Sequence, residues 1–214
     1  DQKEKLVYLV RHGESEANVT PEFSPPDSPL TDIGKEQARW LAKRIANISF
    51  DVIVASSLVR ARETAEIIAG VTSRNIEYSD FFVERTPPTS LCRKSRKDDQ
   101  AVELWKNWQR SLFEEGRKID DGENFHDLIS RADQAIRLLE TRTEQSIVVV
   151  THGFSLKTII ARVLLGGFLT PGAYKHFQFR TSIMNTGLSL LKYSAATPEK
   201  PWRVNVMNDH AHLG

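Results

Sequence analysis

The stretch VYLVRHGESEAN, Val7 to Asn18, joins four apolar or β-favouring residues to a cluster of charged and small polar ones. Its first part is typical of a buried strand. Arg11, His12 and Gly13 follow where that strand ends. In open sheets with parallel strands, ligands bind beyond the carboxyl ends of the strands. The charged cluster therefore lies where a binding site is expected.

Other apolar runs of the chain extend this pattern. KLVYLV at 5–10, FDVIVAS at 50–56 and SIVVVT at 146–151 are apolar on both faces, which is typical of central parallel strands covered by helices on each side. GLSLLKY at 187–193 and WRVNVM at 202–207 alternate more and lie close together. These last two runs predict a hairpin at the edge of the sheet.

Segments with helical spacing lie between the predicted strands. One helix begins at Thr31 or Asp32, because either side chain can cap it. The other predicted helices cover about 57–69, 101–115, 123–140 and 153–165. Gly70 is expected to end the first of these, and Gly166 with Gly167 the last. Alternating strands and helices predict an α/β fold, a three-layer sandwich with a mostly parallel central sheet and helices on both faces.

Length and composition narrow the class of protein. The 214 residues suit a single domain, 1–214, and the formal net charge is only +1. So small a charge creates no field that would attract nucleic acid or an anionic membrane surface, and neither is an expected partner. No apolar run reaches the roughly 18 residues of a membrane span. The start of the chain reads as a strand rather than a signal peptide.

The single cysteine, Cys92, excludes an intrachain disulfide framework and a cysteine-rich zinc site. Its role is expected to be incidental. One unpaired cysteine fits a reducing compartment, so the expected location is the cytoplasm.

Three predicted strands lead into side chains that can bind anions. Arg11 and His12 follow the first strand, His152 follows the strand at 146–151, and Arg60 lies in the first turn of the helix after the strand at 50–56. If these strands are neighbours, the four side chains meet at one end of the sheet.

Taken together, these side chains suit a phosphoryl group. Two guanidiniums supply forked donors that match a phosphate dianion, and a helix N-terminus adds further N–H groups. Nearby arginines disfavour the charged form of a histidine and leave a neutral nitrogen free to attack phosphorus. His12 can therefore be a nucleophile. Each residue alone is more often structural, and only the joint pattern indicates a phosphoryl site.

Four motifs make the chain resemble the histidine phosphatase superfamily, the phosphoglycerate-mutase-like enzymes. They are RHGESEAN at 11–18, SSLVRARETA at 56–65, the acidic residue in FFVERT at 81–86, and VVVTHGFS at 148–155. The motifs stand in the order found in the family, and the resemblance covers the chain from Leu6 to about Leu191.

The resemblance implies roles for individual residues. His12 is expected to be the nucleophile that becomes a phosphohistidine, Glu84 the proton donor, and His152 a further catalytic residue. The implied phosphate-binding residues are Arg11, Asn18, Arg60 and His152. The family pattern also implies a lid or cap segment at about 85–122.

Glu84 has competitors for the role of acid. Asp80 lies in the same segment and Glu14 is next but one to His12. Surface ion pairing is the common role of an arbitrary carboxylate. Only the family pattern, in which the acid follows a short edge segment and precedes a variable lid, selects Glu84.

Two activities compete within the family. The cofactor-dependent mutases resemble one another in a segment beginning Glu-Arg-His-Tyr-Gly, of which ERTPPT at 84–89 shares only the first two residues. This departure favours a phosphatase acting on a small phosphorylated metabolite. Phosphoglycerate mutase-type transfer and a catalytically quiet phosphate-binding module are the alternatives.

Other features have a functional and a structural interpretation. The basic run RKSRK at 93–97 could recognise a second anionic group of a substrate, but a solvated surface run is the more frequent case. Trp105 and Trp108 could line the lid, although core packing is more frequent.

Ser155 stands in a weak match to a serine hydrolase elbow, in which Lys157 replaces the second glycine. The pair His210 and His212 could suggest a metal site, but two such histidines are more often incidental. No motif for Mg²⁺ or a nucleotide P-loop occurs. We therefore expect no metal and no cofactor.

Overall fold

A mixed β-sheet forms the centre of the protein. A computed structural model describes residues 4–20, 23 and 27–214. The strands of the described chain are β1 (Glu4–Arg11), β2 (Val52–Ala55), β3 (Ile76–Tyr78), β4 (Ser146–Thr151), β5 (Leu188–Ser194) and β6 (Trp202–Asp209). They lie in the order β3-β2-β4-β1-β5-β6. Strands β1 to β4 are parallel to one another, β5 pairs antiparallel with β1, and β6 pairs antiparallel with β5.

The strand predictions are confirmed, including the hairpin of β5 and β6 at one edge. Strand β3, which forms the other edge, is not among the predicted strands. This strand is only three residues long, and its side chains are partly or fully exposed. It therefore lacks the apolar run that identifies the buried strands.

Helices cover both faces of the sheet, so the three-layer α/β prediction is confirmed. The helices of the described chain are α1 (Glu16–Val19), α2 (Asp32–Ile45), α3 (Val59–Thr72), α4 (Asp99–Ser111), α5 (Phe125–Thr141), α6 (Gly153–Leu165) and α7 (Pro171–Arg180). Helices α2 and α3 pack on one face, whereas α5 and α6 pack on the other. None of the described helices is both long and apolar enough to cross a lipid bilayer.

Alternation along the strands supplies the two cores. Val7 and Leu9 of β1 face α5 and α6, while Tyr8 and Val10 face α2 and α3. Strands β2 and β4 alternate in the same way, which is why their sequences are apolar throughout. Each fully buried valine or leucine contributes roughly 1.5–3 kcal/mol of transfer free energy. The sheet end that carries the charged residues is thereby held on a rigid support.

Several helix ends differ from the predictions. Gly70 does not end α3, which continues to Thr72 and is followed by Ser73 in the left-handed conformation with φ of 54°. The region around Gly70 is open, so nothing there forces the helix to stop. Helix α4 ends at Ser111, earlier than expected, and α7 was missed, although Thr170 and Pro171 form a usual helix start.

The loop after β1 packs closely on the start of α2. Thr31 caps α2 by accepting a hydrogen bond from Gly34 N, and its hydroxyl donates to Glu14 Oε1 at 2.8 Å. A Cβ atom on Gly34 would lie 1.9 Å from the carbonyl oxygen of Glu14, and one on Gly13 would lie 2.4 Å from that of Gly34. Glycine at both positions permits this approach, which fixes the backbone on either side of the loop.

Two parts of the sequence interpretation reach residues that the structure does not describe. Residues 1–3 of the N-terminal lead, and residues 21, 22 and 24–26 of the proline-rich loop at 20–29, lie outside the described residues.

Candidate active site

The register of the sheet brings the predicted anion-binding side chains together. Strands β1 and β4 are neighbours, with Arg11 opposite Thr151, so His12 and His152 follow at the same level. The ring centroids of these two histidines are 4.9 Å apart. Strand β2 lies on the other side of β4 and leads into α3, whose second residue is Arg60. The side chains that follow these three parallel strands thus converge at the carboxyl ends of the strands.

Hydrogen bonds fix the tautomer of His12. Its Nδ1 lies 2.6 Å from the carbonyl oxygen of Gly13. A carbonyl oxygen only accepts, so Nδ1 carries the proton. The Nε of Arg60 donates to Nε2 of His12 at 3.2 Å. A guanidinium only donates, so Nε2 carries a lone pair.

Burial and charge keep both histidines neutral. The pKa of His12 lies well below its ordinary value, first because the ring is buried and then because Arg60 and Arg11 are close. The hydrogen bond to Gly13 opposes this shift. The pKa of His152 is also well below its ordinary value, mainly through burial and then through the charge of Arg60. A neutral His12 is the form that can act as a nucleophile.

The two arginines retain hydrogen-bond donors without a partner. Arg11 donates from Nη1 to the carbonyl oxygen of Ile183 at 2.7 Å. Its Nε and the Nη1 of Arg60 are buried and have no partner among the described residues. Burial lowers the pKa of both guanidiniums. Buried donors without acceptors cost free energy, which an anion with several oxygens would recover.

His152 also has an open hydrogen-bond position. Its Nε2 lies 2.8 Å from the hydroxyl of Ser56, which accepts a hydrogen bond from the backbone N–H of Leu58. In the tautomer that carries the proton on Nδ1, the Ser56 hydroxyl donates to Nε2. That Nδ1 is buried and has no partner among the described residues. His152 can thus offer a neutral N–H donor.

Asn18 lines the cavity at the edge of this cluster. Its Oδ1 accepts a hydrogen bond from the backbone N–H of Ser15 at 3.0 Å, within the capping box of α1. Because the amide oxygen is used there, its Nδ2 is the group that can donate towards a ligand.

The structure separates the three candidate acids. Glu84 lines the cavity, and its carboxylate accepts hydrogen bonds from the backbone N–H groups of Phe154 and Ser155 at the start of α6. Asp80 also lines the cavity but is exposed and accepts from the hydroxyl of Ser57. Glu14 is bound to Thr31 and is not part of the cavity wall.

Arg85 is a cavity residue that the sequence interpretation missed. It is only 2% exposed, and Nη2 donates to the carbonyl oxygens of Trp108 at 2.7 Å and Glu123 at 2.9 Å. Its guanidinium carbon lies 3.9 Å from the Trp108 ring centroid, and Nη1 has no partner among the described residues. Burial lowers its pKa to about 10. Its position next to Glu84 was the available signal.

Arg131 of α5 supports the backbone around Glu84. Its guanidinium is paired with Glu123 at 2.8 Å and donates to the carbonyl oxygen of Val83 at 2.6 Å. Helical spacing alone does not distinguish this arginine from a surface residue. Only the approach of α5 to the segment before Glu84 reveals its role.

A cavity of about 590 Å³ opens over the cluster. The 85–122 segment supplies one wall, to which Trp105 and Trp108 both contribute while also packing in a small apolar core. Of the basic run at 93–97, only Arg96 lines the cavity, whereas Arg93 pairs with Asp27 at the surface. Cys92 is exposed at the cavity wall.

The geometry does not favour the two weaker interpretations. Ser155 is buried and is not part of the cavity wall, and the Lys157 amine donates to the carbonyl oxygens of Gln178 and Thr181. His212 contacts the hydroxyl of Thr186. The described residues contain no group of three or more His, Cys, Asp or Glu side chains that could hold a metal ion.

Comparison with known proteins places this geometry in context. A model of the histidine phosphatase superfamily (branch 1) matches residues 7–210. "Probable phosphoglycerate mutase GpmB" of Citrobacter koseri is 32% identical over 213 residues, which cover 97% of this chain and 94% of the relative.

Solved structures share the fold. An alpha-ribazole phosphatase from Shigella flexneri superposes with a TM-score of 0.79 at 25% identity, covering 96% of each chain. A phosphoserine phosphatase variant from Entamoeba histolytica, in complex with phosphoserine, gives a TM-score of 0.76 at 25% identity and covers 98% of this chain and 100% of its own.

Proposed function

The chain belongs to branch 1 of the histidine phosphatase superfamily, and from this premise we propose that it is a phosphomonoesterase that forms a phosphohistidine on His12. The observation that carries the proposal is the fixed tautomer of His12. Nδ1 donates a hydrogen bond to the carbonyl oxygen of Gly13, and the lone pair of Nε2 accepts one from Nε of Arg60. This is the protonation state that a nitrogen nucleophile requires.

Binding of the phosphoryl group is assigned to the donors around His12. Nε of Arg11 and Nη1 of Arg60 are buried donors without a partner among the described residues, and His152 offers Nδ1. Asn18 adds the Nδ2 group of its amide. These donors would neutralise the charge on the phosphoryl oxygens in the bound substrate and in the transition state.

Transfer to His12 proceeds as the lone pair of Nε2 forms a bond to phosphorus and the bond from phosphorus to the ester oxygen breaks. The leaving oxygen takes a proton, which we assign to the carboxyl group of Glu84. The partly buried position of Glu84 in the cavity wall supports this assignment. The resulting carboxylate can then accept a proton from water as that water attacks the phosphohistidine.

The fate of the phosphoryl group separates a phosphatase from a mutase. In a phosphatase water accepts it, whereas in a mutase a second hydroxyl of the substrate does. Thr86 and Pro87 follow Arg85 where the mutases carry histidine and tyrosine, which supports the phosphatase. The names of the curated relatives favour the mutase as the second candidate. We propose small phosphorylated metabolites as substrates in either case.

The test is direct detection of the intermediate. After brief reaction with a phosphate ester, denaturation at alkaline pH and mass spectrometry should find an acid-labile phosphoryl group on His12. His12→Ala should lose both the label and turnover, whereas His126→Ala, at an exposed position of α5 outside the cavity, should keep both. A label on another residue, or turnover in His12→Ala, would contradict the proposal.

The same preparation distinguishes the remaining candidates. With 3-phosphoglycerate, a phosphatase releases inorganic phosphate, whereas a mutase forms 2-phosphoglycerate. A quiet binding module would hold phosphate esters without releasing phosphate or forming the label.

A further inference from the structure

Polar side chains and aromatic rings both line the cavity. Arg11, His12, Asn18 and Arg60 surround the place assigned to the phosphoryl group. Among the described lining residues, Phe23, Trp105 and Trp108 pack together in one small apolar core, and Phe154, Leu58, Pro87 and Pro88 add further apolar surface to the cavity. The part of a substrate beyond its phosphate therefore meets a mostly apolar wall.

The volume of the cavity exceeds the needs of a small phosphate ester. At roughly 30 Å³ for each water-sized group, about 590 Å³ holds about twenty such groups. A three-carbon phosphate ester would fill only about half of that space. A larger organic group would cover more of the apolar wall, and removing that surface from water would contribute favourable free energy to binding.

The aromatic wall is held in place by its own packing. The rings of Phe23 and Trp105 have centroids 6.1 Å apart and an interplanar angle of 30°. Trp108 is fixed by its Nε1–H, which donates to the carbonyl oxygen of Glu123, and by the Arg85 guanidinium. Flat, fixed rings favour a flat ligand group, because stacking then requires little further ordering.

Polar groups lie among these rings. Arg85, Gln109 and Arg96 line the same part of the cavity, and Nη1 of Arg85 has no partner among the described residues. An aromatic group with nitrogen or oxygen acceptors at its edge would match such a wall better than a plain alkyl chain.

We propose that the wall formed by Phe23, Trp105 and Trp108 selects phosphomonoesters whose alcohol part carries a flat heteroaromatic ring, with Trp105 as a principal stacking residue. The inference rests on the proposed phosphomonoesterase function and specifies its substrate class. In this proposal His12 carries out the reaction at phosphorus, whereas Trp105 selects the substrate.

Matched substrates test the proposal without changing the leaving oxygen. The 5′-monophosphates of adenosine, guanosine and uridine share the ribose 5′ oxygen with ribose 5-phosphate and differ by the base. We expect kcat/KM to be at least tenfold higher for the best of the three than for ribose 5-phosphate. 1-Naphthyl phosphate should exceed phenyl phosphate by more than the small difference in acidity of their leaving groups explains.

Variants of Trp105 connect the preference to the ring. Trp105→Ala should lower kcat/KM for the preferred nucleotide about five- to 150-fold, as loss of base stacking does, and change ribose 5-phosphate less than about twofold. Trp105→Leu retains an apolar side chain but no ring, so it controls for collapse of the cavity wall. It should show the same selective loss of kcat/KM. Trp40→Ala, at an exposed position of α2 outside the cavity, should leave both substrates unchanged.

Contrary results are equally defined. Equal activity on both members of each pair, a higher kcat/KM for 3-phosphoglycerate, or an equal loss on all substrates in both Trp105 variants would overturn the proposal. So would a preference for long alkyl phosphates that survives in Trp105→Leu. If no ester were hydrolysed, the proposed function would fail, and calorimetric affinities of adenosine monophosphate and ribose 5-phosphate would still test the ring preference by itself.

Discussion

Arg60 donates a hydrogen bond from Nε to Nε2 of His12 across 3.2 Å. The same arginine has a buried Nη1 without a partner among the described residues. The Nε–H of Arg60 therefore occupies the lone pair of His12 Nε2. Attack of His12 on phosphorus requires this hydrogen bond to break.

The first prediction follows from the planar shape of Arg60. Arg60→Lys keeps the positive charge but loses the fork that can contact two phosphoryl oxygens. We expect kcat/KM for a simple aryl phosphate to fall about ten- to a thousandfold, equivalent to roughly 1.4–4 kcal/mol. Steady-state kinetics measure the effect.

Arg62 provides a matched control on the same helix. It is exposed and its guanidinium lies over the ring of Tyr78, outside the cavity. Arg62→Lys should keep normal kinetics. If Arg60→Lys and Arg11→Lys were both fully active, the phosphoryl site would have to lie elsewhere.

The second prediction concerns stability and pH. The pKa values of His12 and His152 in the folded protein lie well below the ordinary value of 6.5. Below pH 6.5 the unfolded chain binds protons on these histidines, whereas the folded chain does not. The contribution of the neutral histidines to the free energy of unfolding is therefore fully present above pH 6.5. It is lost as the pH falls below that value. Each histidine contributes a slope of up to about 1.4 kcal/mol per pH unit.

Urea unfolding between pH 5 and 7 measures this slope. His12→Gln should reduce it by up to about 1.4 kcal/mol per pH unit, whatever its effect on stability at pH 7. The control is His126→Gln, at an exposed surface position, which should leave the slope unchanged. An identical slope in His12→Gln and the wild type would show that His12 titrates normally in the folded protein.

The third prediction tests Glu84 as the acid. The oxygen of an alkyl ester becomes strongly basic as it leaves, whereas p-nitrophenolate needs little protonation. In Glu84→Gln, single-turnover phosphorylation of His12 should therefore slow at least about tenfold more with an alkyl phosphate than with p-nitrophenyl phosphate. Rapid-quench measurements avoid any masking by slow hydrolysis of the intermediate.

Asp80→Asn is the companion variant, because Asp80 also lines the cavity. It should slow both substrates by the same small factor. The reverse outcome, with the leaving-group dependence found in Asp80→Asn and absent in Glu84→Gln, would transfer the role of acid to Asp80.

The fourth prediction compares two glycines inside helices. Gly34→Ala would place a Cβ atom 1.9 Å from the carbonyl oxygen of Glu14, so overpacking should destabilise the protein by about 1–3 kcal/mol. Gly70→Ala has no atom within 4 Å of the added Cβ and should stabilise by about 0.5–1 kcal/mol. Equal stabilisation by both substitutions would show that the loop after β1 can move away from α2. Denaturant unfolding measures both.

The sequence by itself determined the layers of the fold and the charged residues that follow the carboxyl ends of its central strands. The reason is periodicity: strands buried on both faces, such as Val7–Val10 and Ile147–Val150, must be apolar throughout, and their ends must lie together in a parallel sheet. Arg11, His12, Arg60 and His152 follow such elements directly, so their meeting could be predicted on the condition that these strands are neighbours, which the observed strand order meets. β3 and α7 were missed because a short exposed edge and a weakly amphipathic helix carry little periodic signal.

Only the tertiary structure decided how these groups are connected. The tautomer of His12 depends on a carbonyl of its own loop and on a guanidinium 48 residues away. The burial of Arg85 depends on Trp108 and Glu123, and the cavity wall joins Phe23 to Trp105. Local sequence cannot specify such contacts, because hydrogen-bond direction and burial arise where separate segments pack against one another.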